Sequence, residues 1–178
     1  MQMPNHMKKI PIIGFVAKSG TGKTTLICKL LKMFDDDNIN VAVIKGSHHN
    51  FDIDIPGKDS YKLRSCGASC VLLSSPYKWV MMANRKKEHI PNLQDELNRL
   101  NQDNLDLIIV EGFKNEDYLK IEINRKELKN ELLYRIDKKI IAVASDYKIN
   151  LPNSLTLLDI NNIKQIYSFL KQILFTTS

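Results

Sequence analysis

Residues 17–24 read A-K-S-G-T-G-K-T, set between a compact apolar run and a segment of helical spacing. No other feature constrains the fold as much. A phosphate-binding loop usually follows G-x-x-x-x-G-K-[ST]. Here Ala17 stands at the first glycine position, a change the backbone accepts when φ at that residue is negative. Across Ser19, Gly20, Thr21 and Gly22 the chain can curl so that its N–H groups face one anion. Lys23 is then placed for β- and γ-phosphates, the Thr24 hydroxyl for Mg²⁺ and Thr25 for the α-phosphate. The helix that follows aims its positive end at the same anion.

Such a loop needs a strand before it and a helix after it, and both are legible. Ile10–Ala17 is an apolar run fit for a strand buried on both faces. From Thr24 to Phe34, the residues Leu26, Ile27, Leu30, Leu31 and Phe34 recur at helical spacing. Val41–Lys45 reads as a second buried strand, and residues 46–58 as a loop. Asp59 and Ser60 can cap a short helix ending near Gly67. Val71–Ser74 and Lys78–Met82 are strand candidates around Ser75-Pro76, and Pro91 opens a helix with Leu93, Leu97 and Leu100 on one face. Leu105–Glu111 and Lys139–Ser145 are strong strands, while Leu119–Ile123 is a weaker, alternating one. Residues 125–136 read as helical, Leu155–Leu158 as a short strand, and a last helix is capped by Asn161. Alternating strands and helices imply an α/β domain with a mainly parallel sheet.

Phosphate chemistry with Mg²⁺ also calls for a carboxylate at the end of a neighbouring strand. The stretch L-D-L-I-I-V-E-G-F-K offers Asp106 and Glu111, about 17 Å apart at ~3.3 Å per residue. Ligands bind beyond the carboxyl ends of parallel strands, so Glu111 is the candidate and Asp106 a solvated strand-start residue. Lys23 and Glu111 form the candidate catalytic pair. The loop after the second strand, K-G-S-H-H-N-F-D-I-D-I-P-G-K-D-S, emerges at the same edge. Its Lys45, His48, His49, Asp52, Lys58 and Asp59 are candidates for a second anionic ligand. Asp54 joins Thr24 and Glu111 as a candidate metal ligand. Cys66 and Cys70 read as small buried thiols rather than half of a zinc site.

Composition narrows the function further. With 26 Lys and Arg against 20 Asp and Glu, the 178-residue chain carries a formal charge of +6. Charge alone admits nucleic acid, but there is no recognised nucleic-acid module or aromatic stacking run. Tyr77 and Trp79 read as core or interface residues. No apolar run approaches the ~18–20 residues a membrane helix needs. Residues 1–8 read as a flexible lead-in rather than a secretory signal, and Cys28, Cys66 and Cys70 make an odd set without a disulfide framework. The expectation is one domain over residues 1–178, in the cytoplasm. A small-molecule kinase is the alternative, but Arg85, Arg99, Arg125 and Arg135 are scattered rather than gathered into a lid.

Taken in order, S-G-T-G-K-T-T, the K-G-S-H-H-N-F-D-I-D-I-P-G-K-D-S-Y-K-L-R segment and V-E-G-F-K resemble the MobB family of molybdopterin-guanine dinucleotide biosynthesis adapter proteins. The A-S-D of Ala144–Asp146 and the final L-L-D-I-N extend the likeness over nearly the whole chain. It implies a three-layer P-loop NTPase fold, GTP and Mg²⁺ as ligands, weak GTP hydrolysis and a homodimer. It also implies a MobA-like guanylyltransferase partner that attaches GMP to molybdopterin. Molybdopterin or its guanine dinucleotide is then a candidate second ligand. Two departures stand out. Gly46 replaces a histidine expected from the family, and no N-K-x-D guanine-reading motif is present. Asp146 can replace the latter, because a carboxylate offers two acceptors to guanine N1–H and N2–H.

Overall fold

The computed structural model describes residues 10–47, 51, 53–85 and 87–176. These form two compact units. The first joins the chain up to Gly46 with Asn92 onward, and the second spans Ser47–Pro91.

The first unit is built on six parallel strands: β1 (Ile12–Val16), β2 (Val41–Lys45), β5 (Leu107–Glu111), β6 (Leu119–Asn124), β7 (Ile140–Ser145) and β8 (Thr156–Asp159). Their order is β2-β5-β1-β6-β7-β8. The apolar run that predicts β1 is central. Ile13 lies beside Ile109 of β5 and beside Leu119 of β6, so β1 is bonded on both edges. Every strand of this sheet runs the same way. The ends of β1, β5, β6 and β7 therefore open on one edge.

Helices cover one face. Helix α1 (Lys23–Asp36) buries Leu26, Ile27, Leu30 and Phe34, and α4 (Ile163–Thr176) buries Ile166, Tyr167, Leu170 and Leu174. Both pack with Ile13, Phe15, Leu107, Ile109 and Ile121 in one apolar cluster. On the other face, Leu93 and Leu97 of the short helix α3 (Leu93–Leu97) meet Ile44, Ile108, Val110 and Tyr118. A smaller cluster joins Val16, Ile140 and Val143 to Leu133, Tyr134, Ile149 and Leu151. The result is the expected α/β layering about a parallel sheet.

The ends of the helices follow local chemistry. After α1, Asn38 takes a left-handed φ of 55°. Its N–H donates to the Asp35 carbonyl, and the Ile39 N–H donates to the Phe34 carbonyl. This Schellman arrangement satisfies the last carbonyls. Asn92, rather than Pro91, caps α3 by accepting from the Asp95 N–H. Asn162, rather than Asn161, caps α4 by accepting from the Gln165 N–H. Residues 125–136 are not a regular helix but two 3₁₀ turns, Lys126–Leu128 and Leu133–Arg135.

The second unit contains α2 (Asp59–Ser65) and an antiparallel hairpin, β3 (Cys70–Ser74) with β4 (Trp79–Ala83). Neither Asp59 nor Ser60 caps α2. Lys58 holds that position without a side-chain bond, and Ser60 instead donates to Asp54. The thiols of Cys28, Cys66 and Cys70 are exposed, which corrects the buried reading of Cys66 and Cys70. Cys66 is the C-cap of α2 and Cys70 opens β3, and both positions face solvent. Among the described residues no helix is long and apolar enough to cross a membrane.

Helices α1 and α4 are tied at one end by Asp37. It accepts from the Tyr167 hydroxyl at 2.6 Å and from Lys171 at 2.8 Å. The bond from Lys171, then that from Tyr167, holds the Asp37 carboxyl below its ordinary value, and Tyr167 is pushed up to about 12, first by burial. A depressed carboxyl stabilises the fold above its unfolded pKa and loses that contribution as pH falls through the folded value. Asp37→Asn should therefore lower the thermal midpoint at pH 7, with the gap from wild type closing as the pH drops below about 4. Parallel melts across that range provide the check.

Candidate functional site

The phosphate loop follows β1 and ends in the first turn of α1. Gly20 and Gly22 both have φ of +82°, a conformation costly to residues with a Cβ. Ala17 is not among the positive-φ residues, which is why alanine is accepted there. Gly22 is the N-cap of α1 and supplies no side-chain bond, so the first-turn N–H groups stay available for an anion. Residues 18–25 and Glu111 line a cavity of about 220 Å³.

Glu111, at the end of β5, is the meeting point of three segments. The Thr24 hydroxyl lies 3.3 and 3.4 Å from its two oxygens. Lys45 Nζ, from the end of β2, is 3.3 Å from Oε1, and Lys23 Nζ is 3.6 Å away. Glu111 is thus the carboxylate that stands beside the phosphate loop. Asp106 sits at the opposite strand end and accepts from the Asn40 N–H. A hydroxyl beside a carboxylate is a hard-oxygen pair suited to Mg²⁺, which takes one or two protein ligands and completes its shell with water and phosphate. The residues present fit that ion.

The turn after Glu111 is held from below and above. Gly112 has φ of +103°, and Phe113 takes φ of +51°. Tyr118 donates its hydroxyl to the Gly112 carbonyl at 2.7 Å, and its ring occupies the space a side chain at Gly14 would need. Burial, then the charges of Asp137 and Glu116, push the Tyr118 hydroxyl well above its usual pKa, so it remains a donor. The Phe113 ring lies over Gly46, where an added Cβ would come within 2.9 Å of it. Glycine at 46 is therefore matched to phenylalanine at 113.

On the other flank of β1, β6 carries a buried polar row. Lys120 Nζ donates to the Glu116 carbonyl and to Asp137, at 2.7 and 2.8 Å. Glu122 accepts from the Leu133 and Tyr134 N–H groups at 2.9 Å each. Asn124 accepts from the Tyr147 hydroxyl. Directly after this row comes Arg125, one of four arginines scattered through the sequence outside any motif. It donates to the Thr21 carbonyl of the phosphate loop, to Asp146 and to Asn161. No motif marks it. The only sequence signal is its position after a strand.

Asp54, Lys58 and Asp59 belong to the second unit. Burial raises the Asp54 carboxyl, but bonds from Ser60 and Arg64 outweigh it and leave the carboxyl below its ordinary value. His48, His49 and Asp52 lie outside the described residues. Lys114 lines a different groove of about 480 Å³, with Lys120, Asp137 and Lys139. Among the described residues no cluster of three or more His, Cys, Asp or Glu can hold a metal.

The family model described as "MobB: Molybdopterin guanine dinucleotide synthesis protein B" matches residues 12–146. A molybdopterin-guanine dinucleotide biosynthesis adapter protein of Escherichia coli (strain K12) is 42% identical over 163 residues, covering 90% of this chain and 91% of that protein. One from Haemophilus influenzae is 40% identical over 164 residues, covering 92% and 89%. Among solved structures, Bacillus subtilis MobB aligns with a TM-score of 0.72 at 22% identity, covering 92% of this chain and 98% of that one.

Removing the Tyr118 hydroxyl tests how the Glu111 turn is held. Tyr118→Phe keeps the ring against Gly14 and should cost about 1 kcal/mol in denaturant unfolding. A cost near zero would show that the Gly112 carbonyl finds another donor.

Proposed function

The chain belongs to the MobB family, and on that premise we propose that it is a GTP-binding adapter in molybdopterin-guanine dinucleotide biosynthesis. The observation that carries the nucleotide part is the convergence of Lys23, Thr24 and Glu111 on a glycine-formed anion loop. The β- and γ-phosphates of GTP lie on Lys23 and the loop N–H groups. Ser19, Gly20, Thr21 and Gly22 shape that loop, and Thr25 lies near the α-phosphate. Thr24 and Glu111 hold Mg²⁺, which neutralises the charge of the terminal phosphates. Asp54 is left out of this assignment because Ser60 and Arg64 engage it.

Hydrolysis by this chain alone is slow in this reading. Among the described residues the phosphate-loop cavity is lined by no arginine and no glutamine, the residues that stabilise transition-state charge or orient water in faster enzymes. Arg125 sits on the flank of β1 away from Glu111 and is already bonded to three partners. The nucleotide therefore acts in concert with a guanylyltransferase that attaches GMP to molybdopterin. Lys45 and the following loop, including His48, His49, Asp52, Lys58 and Asp59, form the proposed contact with a second phosphorylated ligand.

A homodimer is part of the proposal. In the second unit, the hairpin exposes Leu72, Tyr77, Trp79 and Met81 to solvent. Exposed aromatic and methionine side chains are typical of interface centres, and an unpaired hairpin edge invites pairing with another chain. A second copy of this chain is the occupant. Light scattering should give twice the monomer mass, and Trp79→Glu should shift the protein toward the monomer. A monomeric wild type at high micromolar concentration would sink this part.

Nucleotide binding is checked by titrating a fluorescent GTP analogue with and without Mg²⁺. Lys23→Ala should weaken binding by roughly 100-fold or more, as expected for loss of a charge-assisted phosphate contact together with its neighbours. Wild-type protein that binds no GTP, or that fails to retain a molybdopterin guanylyltransferase in pull-down, would refute the adapter reading.

A further inference from the structure

The sheet order sets a direction along the phosphate loop. β5, with Glu111, lies on one side of β1, and β6 and β7 lie on the other. A triphosphate with its terminal phosphates and cation beside Thr24 and Glu111 extends its nucleoside toward the β6 and β7 ends. Two charged side chains stand there. Arg125 follows β6 and Asp146 follows β7, and they meet at 3.4 Å.

Both are fixed from several sides yet remain partly open, with side chains 26% and 24% exposed. Arg125 Nε donates to the Thr21 carbonyl at 3.3 Å, and Nη1 reaches Asp146 and Asn161. Its remaining nitrogen, Nη2, lies 3.8 Å from where a Cβ on Gly22 would sit. Asp146 Oδ1 accepts from the Lys126 N–H at 2.9 Å, and Oδ2 accepts from Arg125. A carboxylate has about four acceptor sites, more than the bonds from Lys126, Arg125 and its own N–H use. The Lys126 N–H above all, with Arg125, keeps the carboxyl below its ordinary pKa and hence anionic.

We propose that Arg125 is the positioning residue for purine selectivity: it aims Asp146 at the base and ties that carboxylate to the phosphate loop through the Thr21 carbonyl. The inference rests on the GTP-binding reading above. Guanine presents N1–H and N2–H side by side, which two parallel carboxylate oxygens accept. Adenine presents an acceptor at N1, which meets an acceptor and is rejected. Asn161 serves the same device. It is freed from capping α4 because Asn162 does that, and its amide oxygen braces the guanidinium.

Competition titrations against a fluorescent GTP analogue test this, with GTP, ATP, XTP and inorganic tripolyphosphate as competitors. Tripolyphosphate reads the loop without a base. Arg125→Ala should lower the GTP-over-ATP ratio by about tenfold or more, the scale of losing charge-assisted bonds. Tripolyphosphate affinity should change by less than about threefold. Arg125→Lys keeps the charge but not the fork, so it should restore only part of the ratio. It also serves if the alanine variant folds poorly by circular dichroism. Asp146→Asn should shift preference from GTP to XTP, whose C2 carbonyl needs a donor, and should add little in the Arg125→Ala background. An unchanged ratio in the Arg125 variants overturns the proposal. So does an equal loss for all nucleotides and tripolyphosphate, which would confine Arg125 to holding the loop. Wild-type protein that binds GTP and ATP equally refutes base selectivity alone, whereas one that binds no nucleotide refutes the underlying reading.

Discussion

β1 is gripped on both edges by parallel ladders, to β5 on one side and β6 on the other. Ladder registers are set to whole residues and do not adjust smoothly. The phosphate loop leaves the end of β1, so its distance from Glu111 and from Arg125 is decided by those two registers. Phe15 lies beside Glu111, and Val16 lies beside Glu122, three residues before Arg125. The carboxylate and the guanidinium are therefore placed by the sheet itself. Flexible connections decide only how their side chains turn.

How much of this the sequence discloses depends on the kind of signal. The loop, β1, α1 and β5 are legible because an uninterrupted apolar run or a helical stripe has few other uses; β2 forms where expected but not as a buried strand, since it is the edge of the sheet, with Ile44 buried and Val43 exposed. Glu111 is legible because strand polarity decides between two carboxylates. β6 is harder. In L-K-I-E-I-N the alternation reads as a strand with one wet face, yet Lys120, Glu122 and Asn124 are at most 2% exposed. Each is satisfied from within, by Asp137, by the Leu133 and Tyr134 N–H groups and by Tyr147. Buried polar groups are tolerated where their bonds are made, and those partners come from segments without periodicity.

The same cause explains residues 125–136. A helix there would use its own N–H groups internally. Instead two of them, at Leu133 and Tyr134, satisfy a carboxylate in the sheet, and the chain settles into 3₁₀ turns. Arg125 is invisible to pattern reading for a related reason, since its partners are a loop carbonyl 104 residues earlier, a strand-end aspartate and a helix-flanking asparagine. Gly46 shows the reverse. A departure from the family pattern looks like a lost imidazole in sequence, and in the structure it is the space that the Phe113 ring fills.

The central place of β1 also sets a timetable. Its neighbours, Leu107–Glu111 and Leu119–Asn124, are made long after it. Ribosomes add about 5–20 residues per second, so the first strand waits several seconds or more for its earlier partner. During that interval an apolar segment and a glycine-rich loop have no sheet to join. The nucleotide loop thus acquires its shape late, once Leu119–Asn124 has been translated. A nascent chain stalled before Leu119 would carry the whole phosphate-loop motif and still lack the strand that fixes one side of it.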